Sequence, residues 1–289
     1  MRKISTLPCG AKIRFGSYAV GNEGAHSIRW IKVNEEDTTL LAEHIEDFRA
    51  FDAKELENTD NYRREYGNNR YSVSNIDQFL NSVEDFWFNK RHENDAPPTD
   101  ELTYDNTPYD DRPGFLAYFN TAEVESIIPT EIKVALPECD DDENKSETIT
   151  RSVFLPSLAN IFGKRVRNIT EDRQWDCFKN GMSTVATPTQ EAVSNTTLGD
   201  SPQTGRGWYW WLRSPDAGNS CCARYVDRDG DDYFAYAYRG FIGVRPALKI
   251  NPEILVTDNA DDDGYFDVIL SGIKTEDVSE DDFFSILMG

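Results

Sequence analysis

The chain has 289 residues, 38% hydrophobic and 12% aromatic, enough to bury a sizeable core as one large domain or two ordinary ones. Its net charge of -22 disfavours nucleic acid as a partner, because phosphate binding needs Lys and Arg in excess. No run of eighteen apolar residues is present and MRKISTLPCGAKIRFG lacks an apolar signal-peptide stretch, so neither membrane insertion nor secretion by that route is expected.

The first third reads as strands and then a helix. AKIRFGSY (11–18), HSIRWIKVN (26–34) and TTLLAEHI (38–45) are rich in β-branched and aromatic residues between Gly- and Asn-containing breaks, and VGNEGA reads as a hairpin loop. In SNIDQFLNSVEDFWF, Ile76, Phe79, Leu80, Val83, Phe86 and Trp87 form an apolar stripe that predicts a core helix over 75–88, with Ser74 and Asp77 at its start. Residues 89–113 are polar and Pro-rich, a long loop or insertion. TAEVESIIP (121–129) suggests a short helix ended by Pro129, and ECDDDENKSE (138–147) an exposed acidic loop. VFLPSLANIFG (153–163) reads as a strand end and a short helix from Ser157 to Gly163, followed by irregular chain over 164–206.

The last part carries the clearest pattern. GWYWWLRSP ends in an aromatic strand with a buried pattern. In ARYVDRDGDDYFAYAYRG, Asp229-Gly230 is a short hairpin signal between β-prone arms. On the return arm Phe234, Tyr236 and Tyr238 share one face, and Tyr233, Ala235 and Ala237 the other. IGVRPALKI reads as a closing strand with a bulge or edge at Pro246. The acidic extension 251–289 holds one more strand-like piece, GYFDVILSG.

Few residues invite catalysis. Three isolated histidines (His26, His44, His92) form no ligand cluster or triad, and five cysteines at scattered spacings argue against a disulfide framework. Neighbouring Cys221 and Cys222 could form a strained disulfide or reactive pair, but no His or helix start lies close in sequence to activate them. A varied surface is the better reading. In NADDDGYFD (259–267), Asn259, Asp261, Asp263 and Gly264 have EF-hand-like offsets, yet Leu270 stands where a bidentate Glu is required. A solvated acidic turn is preferred there to calcium, and no cofactor is expected.

The pair WWLRSP…GVRPAL resembles a signature of a bacterial and phage domain family with a C-type-lectin-like fold, found among the variable proteins of diversity-generating retroelements. GAKIRFGSY, IRWIKV, TTLLAEHIEDFRAFD and VFLPS follow upstream in the expected order. The resemblance implies an α+β, C-type-lectin-like domain over 1–250, with small antiparallel sheets, a few helices and long loops. Insertions would lie near 89–113 and 138–150, a variable region at about 210–248, and the acidic extension beyond. In such retroelements a reverse transcriptase copies a template repeat and misincorporates at adenines, mostly in Asn codons. Randomising the first two bases of AAC or AAT cannot yield Lys, Gln, Glu, Met or Trp. These five make up 46 of the 289 residues and none occurs in 216–242. By composition such a gap has a probability on the order of one in a hundred.

The resemblance therefore implies a binding surface at Asp216, Asn219, Cys221, Cys222, Tyr225, Asp227, Asp231, Tyr233, Phe234, Tyr236, Tyr238, Arg239, Phe241 and Ile242. Rigid aromatic rings would supply contact area, and Asp, Asn and Ser adaptable polar contacts. Trp210, Trp211, Leu212 and Arg213 on one side, with Gly243, Val244, Arg245 and Pro246 on the other, would form the frame, the two arginines making structural hydrogen bonds. The expected partner is a protein or glycan target met at a virion or cell surface, with a cytoplasmic place as the alternative. Two other functions compete: a fixed structural module of a phage or cell surface, and a relative of formylglycine-generating oxidases, whose GFR-like closing strand is similar to GVRPAL. Those oxidases need a pair of active-site cysteines at a separation that this chain does not reproduce, so no enzymatic activity is expected.

Overall fold

A computed structural model describes residues 1–20, 24–105, 107–140, 143–196, 198 and 202–270. The architecture is α+β: mixed sheets with a few short helices between them. The larger sheet runs Arg2–Lys3, Leu255–Val256, Tyr265–Ile269, Lys12–Tyr18, His26–Lys32, Thr39–Ala42, Ala247–Lys249 and Val153–Phe154. Every neighbouring pair is antiparallel except Tyr265–Ile269 against Lys12–Tyr18. A second sheet runs Asp232–Tyr236, Cys222–Val226, Trp210–Pro215, Gly243–Val244 and Asp47–Phe48, and Thr130–Ala135 pairs separately with Ser146–Arg151.

Two segments tie the sheets together. After Thr39–Ala42 the chain crosses to Asp47–Phe48, and after Gly243–Val244 it crosses back to Ala247–Lys249. The expected closing strand is therefore two short strands in different sheets, with Arg245 and Pro246 at the crossing. Proline cannot donate a ladder hydrogen bond, but its carbonyl still accepts one from Ala42 N at 2.9 Å. Residues 251–270, set apart in the sequence by their charge, are stitched into the larger sheet beside Arg2–Lys3 and Lys12–Tyr18.

Helix ends follow local chemistry. Ser74 caps Asn75–Leu80, Asn120 and Glu123 form a capping box on Thr121–Ser126, and Ser157 with Asn160 does the same for Leu158–Phe162, which Gly163 closes at φ 66°. The helix expected over 75–88 stops at Leu80. Asn81 turns its side chain across to the strand Val153–Phe154, donating to Val153 O and accepting from Ser152 N and Val153 N. Val83 and Phe86 are consequently exposed, while Trp87 returns to the core by stacking on Tyr109, centroids 5.2 Å apart. The acidic loop expected at 138–147 passes at its end into the strand Ser146–Arg151, which also takes up the rest of the insertion expected near 138–150, and the irregular segment 164–206 holds the short helices Asp176–Lys179 and Gln190–Ser194. Cys9 and Cys177, 168 residues apart, are joined by a disulfide that the cysteine spacings did not announce.

The core is aromatic. Trp30, Trp210 and Trp211 have no exposed surface, and each indole N–H is satisfied, by Phe15 O, Thr184 O and Arg49 O respectively. Among the described residues no helix is long and apolar enough to cross a membrane.

Candidate functional site

The residues of the expected frame lie inside the fold. Trp210–Pro215 is buried throughout, and Gly243 lies beside Trp210 in a parallel pairing that brings the two signature motifs together. Arg213 donates to Leu155 O at 2.8 Å, to Asn160 Oδ1 at 3.0 Å and to the carboxylate of Asp172. Arg245 donates to Ala42 O at 2.9 Å and lies 4.8 Å from the ring centroid of Trp210. Burial pulls its pKa down to about 10 against the opposing charges of Glu43 and Glu46. Both guanidiniums thus donate to groups inside the fold.

Between the motifs the chain leaves the frame as an edge hairpin. Cys222–Val226 pairs with Asp232–Tyr236 in regular register, and the loop is Asp227–Asp231, longer than a two-residue turn. The Asp227 carboxylate accepts from Asp229 N and Asp231 N, and Gly230 adopts φ 95°, a conformation that favours glycine. On the hairpin Tyr233, Phe234 and Tyr236 are 56%, 49% and 38% exposed. Tyr225 is half-buried, its ring 6.4 Å from Tyr233 and 5.6 Å from Tyr209. Arg224 lies over Phe234 at 5.6 Å and pairs with Asp216 at 2.8 Å.

Five expected contact residues lie inside instead. Asp216, Cys221, Cys222, Tyr238 and Ile242 are all buried. The segment 216–222 is clamped by Asn69, whose amide nitrogen donates to Asp216 O, Asn219 O and Cys222 O at 3.3, 2.5 and 2.8 Å. Regular pairing ends at Tyr236. Ala237 O then accepts from Phe51 N and Asp52 N, and Tyr238 N donates to Tyr66 O, which turns the Tyr238 ring under. Cys221 and Cys222 have their sulfurs 3.8 Å apart, away from solvent; that contact lowers the Cys221 thiol and, with burial, raises that of Cys222. Their expected role as varied surface residues does not fit this packing.

The remaining expected residues sit at the margins. Asn219 is half-buried and donates to Asp216, Asp231 is exposed on the loop, and Phe241 rests edge to face on Tyr209. Arg239 lies 4.2 Å from the ring centroid of Tyr104. Neighbouring Trp208, Tyr209 and Arg228 contribute to the same surface, with Arg228 3.9 Å from the Trp208 centroid. Sequence reading missed Asn69, Tyr66, Tyr104, Tyr209 and Arg228. Of these only Tyr209 and Arg228 lie near the motifs; the others approach through tertiary packing.

The acidic turn 259–267 is closed by its own side chains. Asp261 accepts from Asp263 N and Tyr265 N, while Arg14 pairs with Asp261, Asp263 and Asp267 at 2.5, 3.7 and 3.2 Å. The carboxylates weighed for calcium thus have the Arg14 guanidinium among them.

No curated protein and no solved structure matches the chain. A family model does match residues 35–252, from ahead of the strand Thr39–Ala42 to just past Ala247–Lys249, and so takes in the frame and the hairpin. The chain belongs to the family described as Domain of unknown function (DUF6273).

Proposed function

We propose that the chain is a ligand-binding protein, with a C-type-lectin-like scaffold that displays a retroelement-diversified patch toward a protein or glycan target at a virion or cell surface. One observation carries this reading: between two wholly buried motifs the chain runs out as an edge hairpin whose rings face solvent. Trp210 and Trp211 are 0% exposed, whereas Tyr233 is 56% exposed. A rigid frame with tolerant side chains projecting from it is what a varied contact surface needs. The absence of Lys, Gln, Glu, Met and Trp from 216–242 supports the same reading. Packing limits the patch to Tyr225, Asp227, Asp231, Tyr233, Phe234, Tyr236, Arg239 and Phe241, together with Asn219 at its margin.

A fixed surface module is the second reading, favoured by the burial of Cys221, Cys222, Ala223, Val226, Ala237 and Ile242 within the same segment. Sequencing the DNA that flanks the gene decides between them. An imperfect repeat of codons 210–250, mismatched at adenines and close to a reverse transcriptase, is the expected result. With no such repeat, the hairpin is a fixed surface.

A further inference from the structure

The geometry points to a cleft beside the hairpin that takes one acidic sugar residue, a pyranose bearing a carboxylate. This rests on the ligand-binding reading above and gives part of that surface a ligand class. The cleft has a volume of about 370 Å³, and its lining includes Asp105, Trp208, Tyr209, Arg228, Arg239 and Phe241.

Its two cations stand at opposite ends of a ring pair. Arg228 lies 3.9 Å from the Trp208 centroid and 4.8 Å from that of Tyr209. Arg239 lies 4.2 Å from Tyr104 and 5.9 Å from Phe241, and Tyr209 meets Phe241 edge to face at 5.4 Å. A guanidinium held over a ring is restrained, yet its N–H edge stays available for paired hydrogen bonds to a carboxylate. Neither cation is neutralised at close range. Among the described residues Arg228 has no carboxylate partner, and Arg239 approaches only Asp105, at 3.8 Å. The net charge of -22 repels polyanions at long range, so a single carboxylate met at short range suits the cleft better than a polyanion.

Asp105 narrows the class further. Its Oδ2 is buried and has no hydrogen-bond partner among the described residues, an arrangement that a donor from a ligand would relieve. A sugar acid supplies hydroxyl donors beside its carboxylate. A plain dicarboxylate would set a second anion against Asp105, and a neutral sugar would leave both guanidiniums unused. The rings of Tyr209 and Phe241 offer apolar contact to the C–H face of a pyranose.

Calorimetric titration of the full chain with glucuronate, glucose and glutarate tests the assignment. Glucuronate is expected to bind, with glucose and glutarate at least about tenfold weaker. Arg228→Ala should lower glucuronate affinity by about tenfold or more, as expected for a lost charge-assisted pair. Arg228 is exposed, so the variant should melt with the wild-type chain and report on binding alone. Silence toward millimolar glucuronate, equal binding of glutarate, or full affinity in Arg228→Ala would each overturn the proposal. The flanking-DNA search is independent of it: a missing repeat retires diversification and leaves the titration result standing.

Discussion

Tyr66 and Tyr236 stack with centroids 4.2 Å apart and planes 14° from parallel, which anchors the edge hairpin to the helix Asn61–Tyr66. Tyr238 then turns beneath this pair, 5.6 Å from Tyr66 and 5.4 Å from Tyr104, and is only 8% exposed. The alternation that placed Phe234, Tyr236 and Tyr238 on one face therefore holds for two rings and breaks at the third. Tyr238→Ala is expected to cost about 3 kcal/mol of folding stability, as for other buried aromatic truncations. Tyr233→Ala, at an exposed ring, should stay within about 0.5 kcal/mol. Urea melts of the two variants check this, and equal losses would mean that the hairpin rings form one packed unit.

Asn69 holds the entry to the hairpin. It is fully buried, and its amide nitrogen serves carbonyls of Asp216, Asn219 and Cys222. Asn69→Ala would take this donor from the Asp216 and Asn219 carbonyls and leave Cys222 O with Asp216 N alone, and the predicted cost is about 2–3 kcal/mol. The loosening should be local. Hydrogen exchange is expected to quicken at Asp216 N, which donates to Cys222 O, and to stay unchanged at Trp208 N, which donates to Ala186 O.

His26 and Glu46 make stability depend on pH. Burial alone would lower the His26 pKa, but its 3.0 Å hydrogen bond to Glu46 and the charge of that carboxylate outweigh burial and raise it above 6.5. A histidine whose folded pKa is raised contributes stability that is fully present below its unfolded value and is lost as pH rises through the folded one. Burial also raises Glu46, which acts in the same direction above about pH 4.5. Melting temperature is thus expected to fall as pH rises from 6.5. In Glu46→Gln the main raising partner is gone, burial outweighs the remaining charge of Glu191 and pulls His26 below 6.5, and the contribution of His26 should change sign, rising with pH up to that value. Each tenfold change in proton affinity is worth about 1.4 kcal/mol. Thermal melts between pH 5 and 8 check the reversal.

What the sequence made legible was local. Ser74, Ser157 and Gly163 mark helix ends by chemistry that acts within a few residues, and the alternation from Tyr233 to Tyr236 marks an edge strand. The missed features are non-local. The helix ends at Leu80 because Asn81 meets Val153, 72 residues away, and no period in the helix announces that. The Cys9–Cys177 bond and the Asn69 clamp likewise join distant segments. The C-type-lectin-like reading rests on the motifs and their order, while Asp105 enters the cleft through packing that a motif does not encode.

Arg213 shows how much a frame residue depends on such distant partners. Its side chain is fully buried, and its counter-charge comes from Asp172, in a segment that reads as irregular chain. The adjacent Ser214 hydroxyl donates to the buried Glu171 and accepts from Leu158 N at 2.8 Å. Burial raises both acids, and the guanidinium opposes the rise. Arg213→Met removes the cation while keeping an unbranched chain, so the predicted loss is about 2–4 kcal/mol, below the full cost of breaking a buried pair from one side because Asp172 is 31% exposed. Adding Asp172→Asn should recover part of that loss, because an uncompensated charge is removed with it. The single variant's deficit should also shrink as pH falls, since acids freed from the cation take up protons more readily and no longer need it. Chemical denaturation of the single and double variants at pH 5 and 7 tests both expectations. A loss below about 1 kcal/mol, independent of pH, would place the stability of the frame in the tryptophans and not in this pair.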